Sequence, residues 1–313
     1  MADMKKIATR DSYGKAITQL GAEHNDIVVM DADLAGSTKT GVFKKEFPDR
    51  HFNCGIAEAN MMCVAAGLST AGMVPFASSF AMFASGRAFE QIRNSIGYPA
   101  LNVKIGASHG GISVGEDGAS HQCCEDFALM RSIPGMVVMS PADENEAIAM
   151  TKAAYAHNGP VYMRFGRSNV PNFHPDNMEF VIGKGEILKD GTDVAIIANG
   201  LLVYKAMVAA AELESMGINA MVINMATIKP LDEELVLSAA KKCGKIITCE
   251  EHTIIGGLGE AVCSVLSEKL PTPVRRIGVN DEFGHSGPAG ELLKAFGLCA
   301  EHVVEVAKDF CGK

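Results

Sequence analysis

The sequence predicts an α/β protein built from two three-layer α/β/α domains with mostly parallel sheets. Apolar, β-rich runs alternate with helical patterns along most of the chain, and the alternation stops once and then restarts. The length of 313 residues is enough for two domains that each bury a core. Nearly continuous apolar strands separated by helices are typical of parallel sheets covered on both faces.

The first predicted domain spans residues 1–170. Its candidate strands are short apolar, β-branched runs at 26–31, 73–78, 101–106, 136–141 and 160–165. Its candidate helices are longer segments between these strands, at 11–22, 57–71, 79–96 and 143–157.

A connector is predicted at residues 171–190, because this stretch is rich in proline, asparagine and glycine. The second domain then covers residues 191–313, where the alternation restarts. Its candidate strands are at 193–199, 218–225, 245–251 and 274–279. One candidate helix ends near residue 216, and two others cover residues 232–242 and 256–269.

Charge and composition exclude several classes of function. The formal net charge of −9 disfavours binding to nucleic acid and to anionic membranes, although a few arginines can still hold a phosphate. No signal peptide or membrane span is predicted, because no sufficiently long apolar run is present. The nine cysteines lack CxxC spacing, which predicts reduced thiols in a cytoplasmic protein and no zinc site.

The first candidate functional residue is Glu58. It is the only charged residue between His51 and Arg87, and its neighbours are apolar. A carboxylate in such a stretch needs a hydrogen-bonding partner or a raised pKa, since burying an unpaired charge is costly. The alternative is a half-exposed acid that stabilises the first turn of a helix. Periodicity alone leaves both interpretations open.

The second candidate is the glycine-rich loop 108–126, which directly follows a predicted strand. Ligands bind beyond the carboxyl ends of the strands in open parallel sheets. His109 and His121 in this loop could act as acid–base or polarising groups near neutral pH. A metal site and a purely structural loop remain as alternatives, but the loop lacks standard metal-ligand spacing.

An aromatic patch and two arginines complete the candidates. Phe80 and Phe83 could form a stacking wall for a planar ring, although phenylalanines at helical spacing are more often core. Arg167 follows a predicted strand, which suits an anion site. Arg10 directly precedes a helix predicted from about residue 11, and an arginine in either position, taken alone, is more often an ordinary surface or capping residue.

Together and in this order, these segments resemble the transketolase family. DADLAGS at 31–37 is similar to the family's SADLxxS segment, and GIAEANM at 55–61 is similar to the region of its catalytic glutamate. PFASSFAMF at 75–83 is similar to PYxSTFxxF, GEDGASHQ at 115–122 is nearly GEDGPTHQ, and GRSN at 166–169 is similar to SRQN. The second domain resembles related thiamine-diphosphate enzymes more loosely.

The resemblance implies thiamine diphosphate as the cofactor. Glu58 would share a proton with a ring nitrogen of the cofactor's aminopyrimidine. Phe83 would stack on that ring with Phe80 beside it, and Asp33 would lie near the cofactor at a subunit interface. The cofactor supplies the electron sink, and the protein supplies orientation and proton handling.

The resemblance also implies substrate contacts and a reaction. The catalytic residues would be Glu58, His109 and His121. The groups that contact the sugar would be His109, Asp117 and His121, and those that hold the substrate phosphate would be Arg10, Ser37 and Arg167. The reaction would cleave a ketose phosphate between carbons 2 and 3 and pass the two-carbon unit to an aldose phosphate.

Three departures from the family pattern matter. Gly86 stands where many members have a further aromatic residue, and Ala119 and Ser120 replace a Pro-Thr pair. More importantly, the GDG…N motif that binds the diphosphate and Mg²⁺ (or Ca²⁺) in full-length transketolases does not occur here. The chain therefore resembles the C-terminal subunit of a split enzyme, active only with an N-terminal partner in an α2β2 assembly.

Alternatives to this assignment remain at the level of sequence. They are a subunit related to 1-deoxyxylulose-5-phosphate synthase or to a 2-oxo-acid dehydrogenase, and a non-catalytic assembly subunit. GEDGASHQ disfavours the dehydrogenase, and the SADL-like segment with Arg10 and Ser37 disfavours the synthase. The ketose is open, from pentose-pathway sugars to branched or sulfonated ketoses.

Overall fold

A computed structural model describes residues 4–313 and contains two sheets of mostly parallel strands. Its strands, in chain order, are β1 Lys6–Ala8, β2 Ile27–Asp31, β3 His51–Asn53, β4 Val74–Phe80, β5 Lys104–Ser108, β6 Val137–Met139, β7 Val161–Phe165, β8 Asn169–Pro171, β9 Glu186–Lys189, β10 Val194–Ala198, β11 Ala220–Asn224, β12 Thr227–Lys229, β13 Ile246–Thr253 and β14 Val274–Val279.

The helices lie between these strands and follow the last one. In chain order they are α1 Thr9–Glu23, α2 Ala35–Thr38, α3 Thr40–Glu46, α4 Glu58–Thr70, α5 Phe89–Gln91, α6 Asp126–Arg131, α7 Glu144–Ala156, α8 Leu202–Ser215, α9 Glu233–Cys243, α10 Leu258–Lys269, α11 Ala289–Ala295 and α12 Ala300–Cys311. Two π-helical turns, Met82–Arg87 and Ile92–Gly97, flank α5.

The first sheet has the order β12-β6-β7-β5-β4-β2-β3, and all its neighbours are parallel except β12 with β6. Its central strands are buried on both faces. One core layer packs α1, α3 and α7 against the sheet, and the other packs α4, α6 and the π-helical turns against it. This burial explains why the strands are almost uniformly apolar rather than alternating.

The second sheet has the order β14-β13-β10-β11-β9, with only β9 antiparallel to its neighbour. Helices α8 and α12 cover one face, and α9 and α10 cover the other. The predicted fold class, α/β with mostly parallel sheets and helices on both sides, is confirmed. Strand β9 lies inside the segment whose composition predicts a connector.

The two parts of the chain are joined by more than the connector. Strand β12, which follows β11, leaves the second sheet and pairs antiparallel with β6 at the edge of the first, where Thr227 lies opposite Met139. Between the domains, the Asn224 side-chain amide donates to Glu146 Oε1 at 2.7 Å. The sequence did not predict β12, because three residues carry no pattern that distinguishes a strand of one sheet from a strand of the other.

Candidate active site at the carboxyl ends of the first sheet

The candidate residues follow neighbouring parallel strands of the first sheet. Asp33 follows β2, Glu58 follows β3, Phe80 ends β4, His109 follows β5 and Arg167 follows β7. The strand order β7-β5-β4-β2-β3 brings these positions to one edge of the sheet. The crevice beyond that edge is the usual ligand site of an open parallel sheet.

Glu58 is the first residue of α4 and is only 1% exposed. Its Oε2 accepts a hydrogen bond from Arg87 Nη1 at 2.9 Å, and its Oε1 accepts one from the Ser79 hydroxyl at 3.5 Å. Glu58 does lie in the first turn of a helix, as the alternative interpretation expected, but that interpretation is wrong about exposure because the side chain is buried. A buried carboxylate with one ion-pair partner is poised to exchange that partner for another.

The aromatic patch adjoins this carboxylate and is continuous with the two histidines. The rings of Phe80 and Phe83 have centroids 5.8 Å apart and are tilted by only 16°. His109 stacks on Phe80 with centroids 3.8 Å apart, and His121 meets the edge of Phe83 at 5.3 Å. Phe83 is half-buried and is covered by the Arg87 guanidinium, 4.6 Å from the ring centroid.

His109 is held in a fixed tautomer. Its Nε2 lies 3.1 Å from Arg10 Nη1, and its Nδ1 lies 2.8 Å from the Ser108 hydroxyl. Because an arginine can only donate, we assign Nε2 as the acceptor and place the ring proton on Nδ1. Its backbone φ of 59° is in the left-handed region, which is uncommon for a residue other than glycine and is typical of functional sites.

The sequence predicts that His109 titrates near neutral pH, but the surroundings of the ring in the structure give it a much lower pKa. Burial, followed by the nearby charges of Arg10 and Arg167, lowers its pKa to about 3. The ring is therefore neutral at pH 7, and with Nε2 as an acceptor it can orient a substrate hydroxyl by accepting a hydrogen bond.

A group of cations surrounds this histidine. Arg10 lies inside α1, which begins at Thr9 rather than near residue 11, and its Nη1 also donates to the Ser37 carbonyl at 3.0 Å. Burial first, and then the charge of Arg167, lower the pKa of Arg10, against the opposing effect of Asp11. The buried Nε of Arg10 has no hydrogen-bond partner. This arrangement suits an anionic ligand, which would supply the missing acceptor.

The other predicted residues lie at the rim of the site. Asp33 is exposed and exchanges two hydrogen bonds of 3.0 Å with Asn53. Asp117 is exposed at the end of the Ile112–Asp117 turn, and no hydrogen bond joins it to either histidine. Arg167 donates to Glu116 at 3.1 Å and to the Val114 carbonyl. The structure thus joins Arg10, Ser37 and His109 directly and leaves Asp117 apart.

The sequence reasoning missed the residues that support the glycine-rich loop. The Gln122 amide donates to the carbonyls of Ile112, Gly115 and His285. Glu251 from the second domain accepts the Ser113 backbone N–H at 2.5 Å. Gln122 lies in the GEDGASHQ motif, so the sequence contained a signal that could have identified it. No local pattern connects Glu251 to this loop.

The pyrimidine half of thiamine diphosphate, which the resemblance implies as the cofactor, has specific requirements of a binding site. That ring requires an aromatic face and a carboxylate that can share a proton with a ring nitrogen. Phe83 and Glu58 lie close enough together for one side chain, Arg87, to contact both. The residues therefore fit the ring. Within residues 4–313 no cluster of three or more histidines, cysteines or acids could hold a metal ion.

Family models match the chain over most of its length. The model described as "Transketolase, pyrimidine binding domain" matches residues 5–172, and the model described as "Transketolase, C-terminal domain" matches residues 183–303.

The chain belongs to the transketolase family.

A putative transketolase C-terminal section of Methanocaldococcus jannaschii is 51% identical over 299 residues, which cover 95% of this chain and 94% of the relative. A 6-deoxy-6-sulfo-D-fructose transketolase subunit of Clostridium sp. is 42% identical over 300 residues, covering 96% and 93%. A solved structure described as a split gene transketolase, inactive beta4 tetramer, has 54% identity and a TM-score of 0.91, covering 97% of this chain and 98% of that one.

These matches confirm the predicted resemblance to the C-terminal subunit of a split transketolase. The members of the family are transferases, and membership implies thiamine diphosphate as the cofactor. In the part of the chain that the structure describes, no helix combines the length and apolar character needed to cross a membrane.

Proposed function

We propose that this chain is the catalytic C-terminal subunit of a split transketolase, and that it transfers a two-carbon ketol unit from a ketose phosphate to an aldose phosphate. The observation that carries the proposal is the buried carboxylate of Glu58 beside the Phe83 ring, with a single side chain, Arg87, in contact with both. When bound, thiamine diphosphate would supply a nucleophilic carbon and the electron sink for carbon–carbon cleavage.

The chain's own residues bind, orient and manage protons. Glu58 holds a proton against a ring nitrogen of the aminopyrimidine, and Phe83 fixes the plane of that ring with Phe80 behind it. His109 and His121 orient the carbonyl and hydroxyls of the sugar. A neutral His109 with its proton on Nδ1 accepts a hydrogen bond at Nε2. Arg10 already donates to this nitrogen, so Arg10 and the substrate must share it as an acceptor.

The phosphate of the substrate binds the cations at the rim. Arg10 and Arg167 provide charge-assisted donors, and the Ser37 backbone carbonyl positions Arg10. Asp117 adds a contact to the sugar at the mouth of the site, and Asp33 lies near the cofactor at the subunit boundary. A sulfonate presents charged oxygens in the same geometry as a phosphate, and one relative is named for a sulfonated ketose. The ketoses tested as substrates must therefore include both phosphorylated and sulfonated sugars.

The remaining half of the cofactor site belongs to a partner chain. An N-terminal subunit carrying the GDG…N motif would hold the diphosphate and Mg²⁺ (or Ca²⁺) and complete an α2β2 assembly in the cytoplasm. Two observations support this: metal ligands are not clustered within residues 4–313, and the similar solved structure is described as an inactive beta4 tetramer.

The test uses the complex reconstituted from this chain and its N-terminal partner. Turnover of pentose-pathway, branched and sulfonated ketoses is measured together with hydrogen exchange at the thiazolium carbon. Glu58→Gln should abolish both, because the amide cannot take up the shared proton. Glu260→Gln, at a half-exposed acid in α10, is the matched control and should leave both unchanged.

Unchanged turnover in Glu58→Gln would show that the chain is a non-catalytic assembly subunit. Full activity of this chain without a partner would refute the split-enzyme assignment. Transfer of an acyl unit from a 2-oxo acid, without ketol transfer, would instead favour the dehydrogenase alternative.

A further inference from the structure

The Arg87 side chain contacts both groups that the aminopyrimidine ring is proposed to use. Its Nη1 donates to Glu58 Oε2 at 2.9 Å, and its guanidinium carbon lies 4.6 Å from the centroid of Phe83. We propose that Arg87 occupies the aminopyrimidine position in the unloaded subunit and must be displaced when the cofactor binds. This proposal rests on the proposed function and adds a residue that sets the affinity for thiamine diphosphate.

A guanidinium resembles an aminopyrimidine in the features that matter at this position. Both are planar and both stack on an aromatic face, and both hydrogen-bond to a carboxyl group in their own plane, the guanidinium as a donor and the ring nitrogen through the shared proton. Glu58 and Phe83 therefore offer the same two contacts to either group. Since one guanidinium already uses both, the ring and Arg87 compete for a single position rather than binding side by side.

The burial of Glu58 explains why an occupant is required. The carboxylate is 1% exposed, and its other polar contact, the Ser79 hydroxyl, lies at the 3.5 Å limit of a hydrogen bond. A buried carboxylate without a partner is costly, so Arg87 stabilises the charged form until the ring nitrogen replaces it.

Arg87 itself is free to leave. Its side chain is 52% exposed, while that of Glu58 is 1% exposed, so the arginine can rotate into water and keep its charge hydrated. It is also the last residue of the Met82–Arg87 π-helical turn, and Gly86 beside it presents no side chain to block this rotation. When Arg87 moves away, its ion pair with Glu58 and its stacking contact with Phe83 are lost. Cofactor binding is therefore weaker than it would be if no side chain had to be displaced.

The test is the dissociation constant of thiamine diphosphate for the complex with the N-terminal subunit, measured by isothermal titration calorimetry at saturating Mg²⁺. Arg87→Ala should tighten binding roughly five- to tenfold, because a half-exposed ion pair and a cation–π contact no longer have to be broken. Arg87→Lys keeps the ion pair but loses the flat stacking surface and should tighten binding less. Arg93→Ala, at an exposed arginine of the second π-helical turn, should bind as the wild type does.

A second measurement separates competition at Glu58 from a general effect on folding. In a Glu58→Gln background the ion pair is already absent, so adding Arg87→Ala should tighten binding less than it does in the wild type. Equal tightening in both backgrounds would overturn the competition at Glu58.

The remaining outcomes are distinct. If Arg87→Ala binds the cofactor as the wild type does, Arg87 does not compete with it, and if the variant binds more weakly, Arg87 stays in place and contacts the cofactor. In both cases the inference is wrong while the proposed function stands. If the wild-type complex binds no thiamine diphosphate, the proposed function fails and the inference fails with it.

Discussion

Replacement of Arg164 should destabilise the protein more than replacement of any comparable surface arginine. Arg164 lies in β7 and is 5% exposed, and its Nε lies 3.2 Å from Asp126 Oδ2. Its two terminal nitrogens donate to the carbonyls of Cys123 at 2.7 Å and Glu251 at 2.8 Å. One side chain therefore connects the first sheet, the end of the glycine-rich loop and the second domain.

The magnitude follows from what Arg164→Met leaves behind. Methionine keeps most of the side-chain volume, but Asp126 is 0% exposed and would retain only the Tyr162 hydroxyl at 2.8 Å. Breaking a buried ion pair by removing one partner costs about 3–5 kcal/mol, because it leaves an uncompensated buried charge. Although burial alone would lower it, the pKa of Arg164 is raised by Asp126 and Glu251, so the wild-type side chain stays charged.

The free energy of unfolding is measured by urea titration for the chain and its variants. Arg164→Met combined with Asp126→Asn should recover most of the loss, since the buried charge is then gone. Arg275→Met is the matched control, because the Arg275–Asp309 pair is largely exposed and should contribute less than about 1 kcal/mol. A cost below about 1 kcal/mol for Arg164→Met would refute the reasoning.

Two further predictions concern the cationic side of the site. Because the folded-state pKa of His109 is about 3, the neutral ring stabilises the fold above pH 6.5, and this contribution is lost as pH falls from 6.5 towards 3. Between pH 7.5 and 5 the free energy of unfolding of the wild type should therefore fall by about 2 kcal/mol more than that of His109→Gln. Urea-unfolding profiles that run parallel over this pH range would contradict the prediction, and His302→Gln, at a half-exposed histidine, is the control. Arg10→Met should raise KM for a phosphorylated ketose about ten- to a hundredfold in the reconstituted complex; an equal effect on the unphosphorylated sugar would show that Arg10 does not bind the phosphate.

Most of the sheet could be predicted from sequence because its strands are buried on both faces. Strand β2 is apolar up to its last residue, Asp31, and β4 is apolar or small at every position, so both have the pattern of a buried strand without any alternation. The C-terminal helix α12 was not predicted, although its residues have a helical pattern, and β9 was hidden by the glycines and asparagines around it. Short edge elements are fixed by pairing with distant segments, which no local pattern records.

The candidate site could be predicted only in part, and the reason is the range of its contacts. Glu58, Phe83 and the histidines lie in motifs, so their presence at one sheet edge follows from strand order alone. The partner of Glu58 is the next charged residue along the chain, Arg87, but sequence gives no distance between them. Arg164 was read as an ordinary strand residue, because only tertiary structure brings Asp126 to it.

The second domain takes part in the site without supplying a candidate catalytic residue. Gly111 has a φ of +81°, and a Cβ there would lie 2.3 Å from the Glu251 carboxyl carbon, so the loop and the second domain are in direct contact. Glu251 also fixes the Ser113 N–H, and Arg164 binds the Glu251 carbonyl from the first sheet. Because the position of the loop depends on both domains, the geometry around His109 requires the association of the two domains. Strand β12 contributes to this association by extending the first sheet with residues of the second domain.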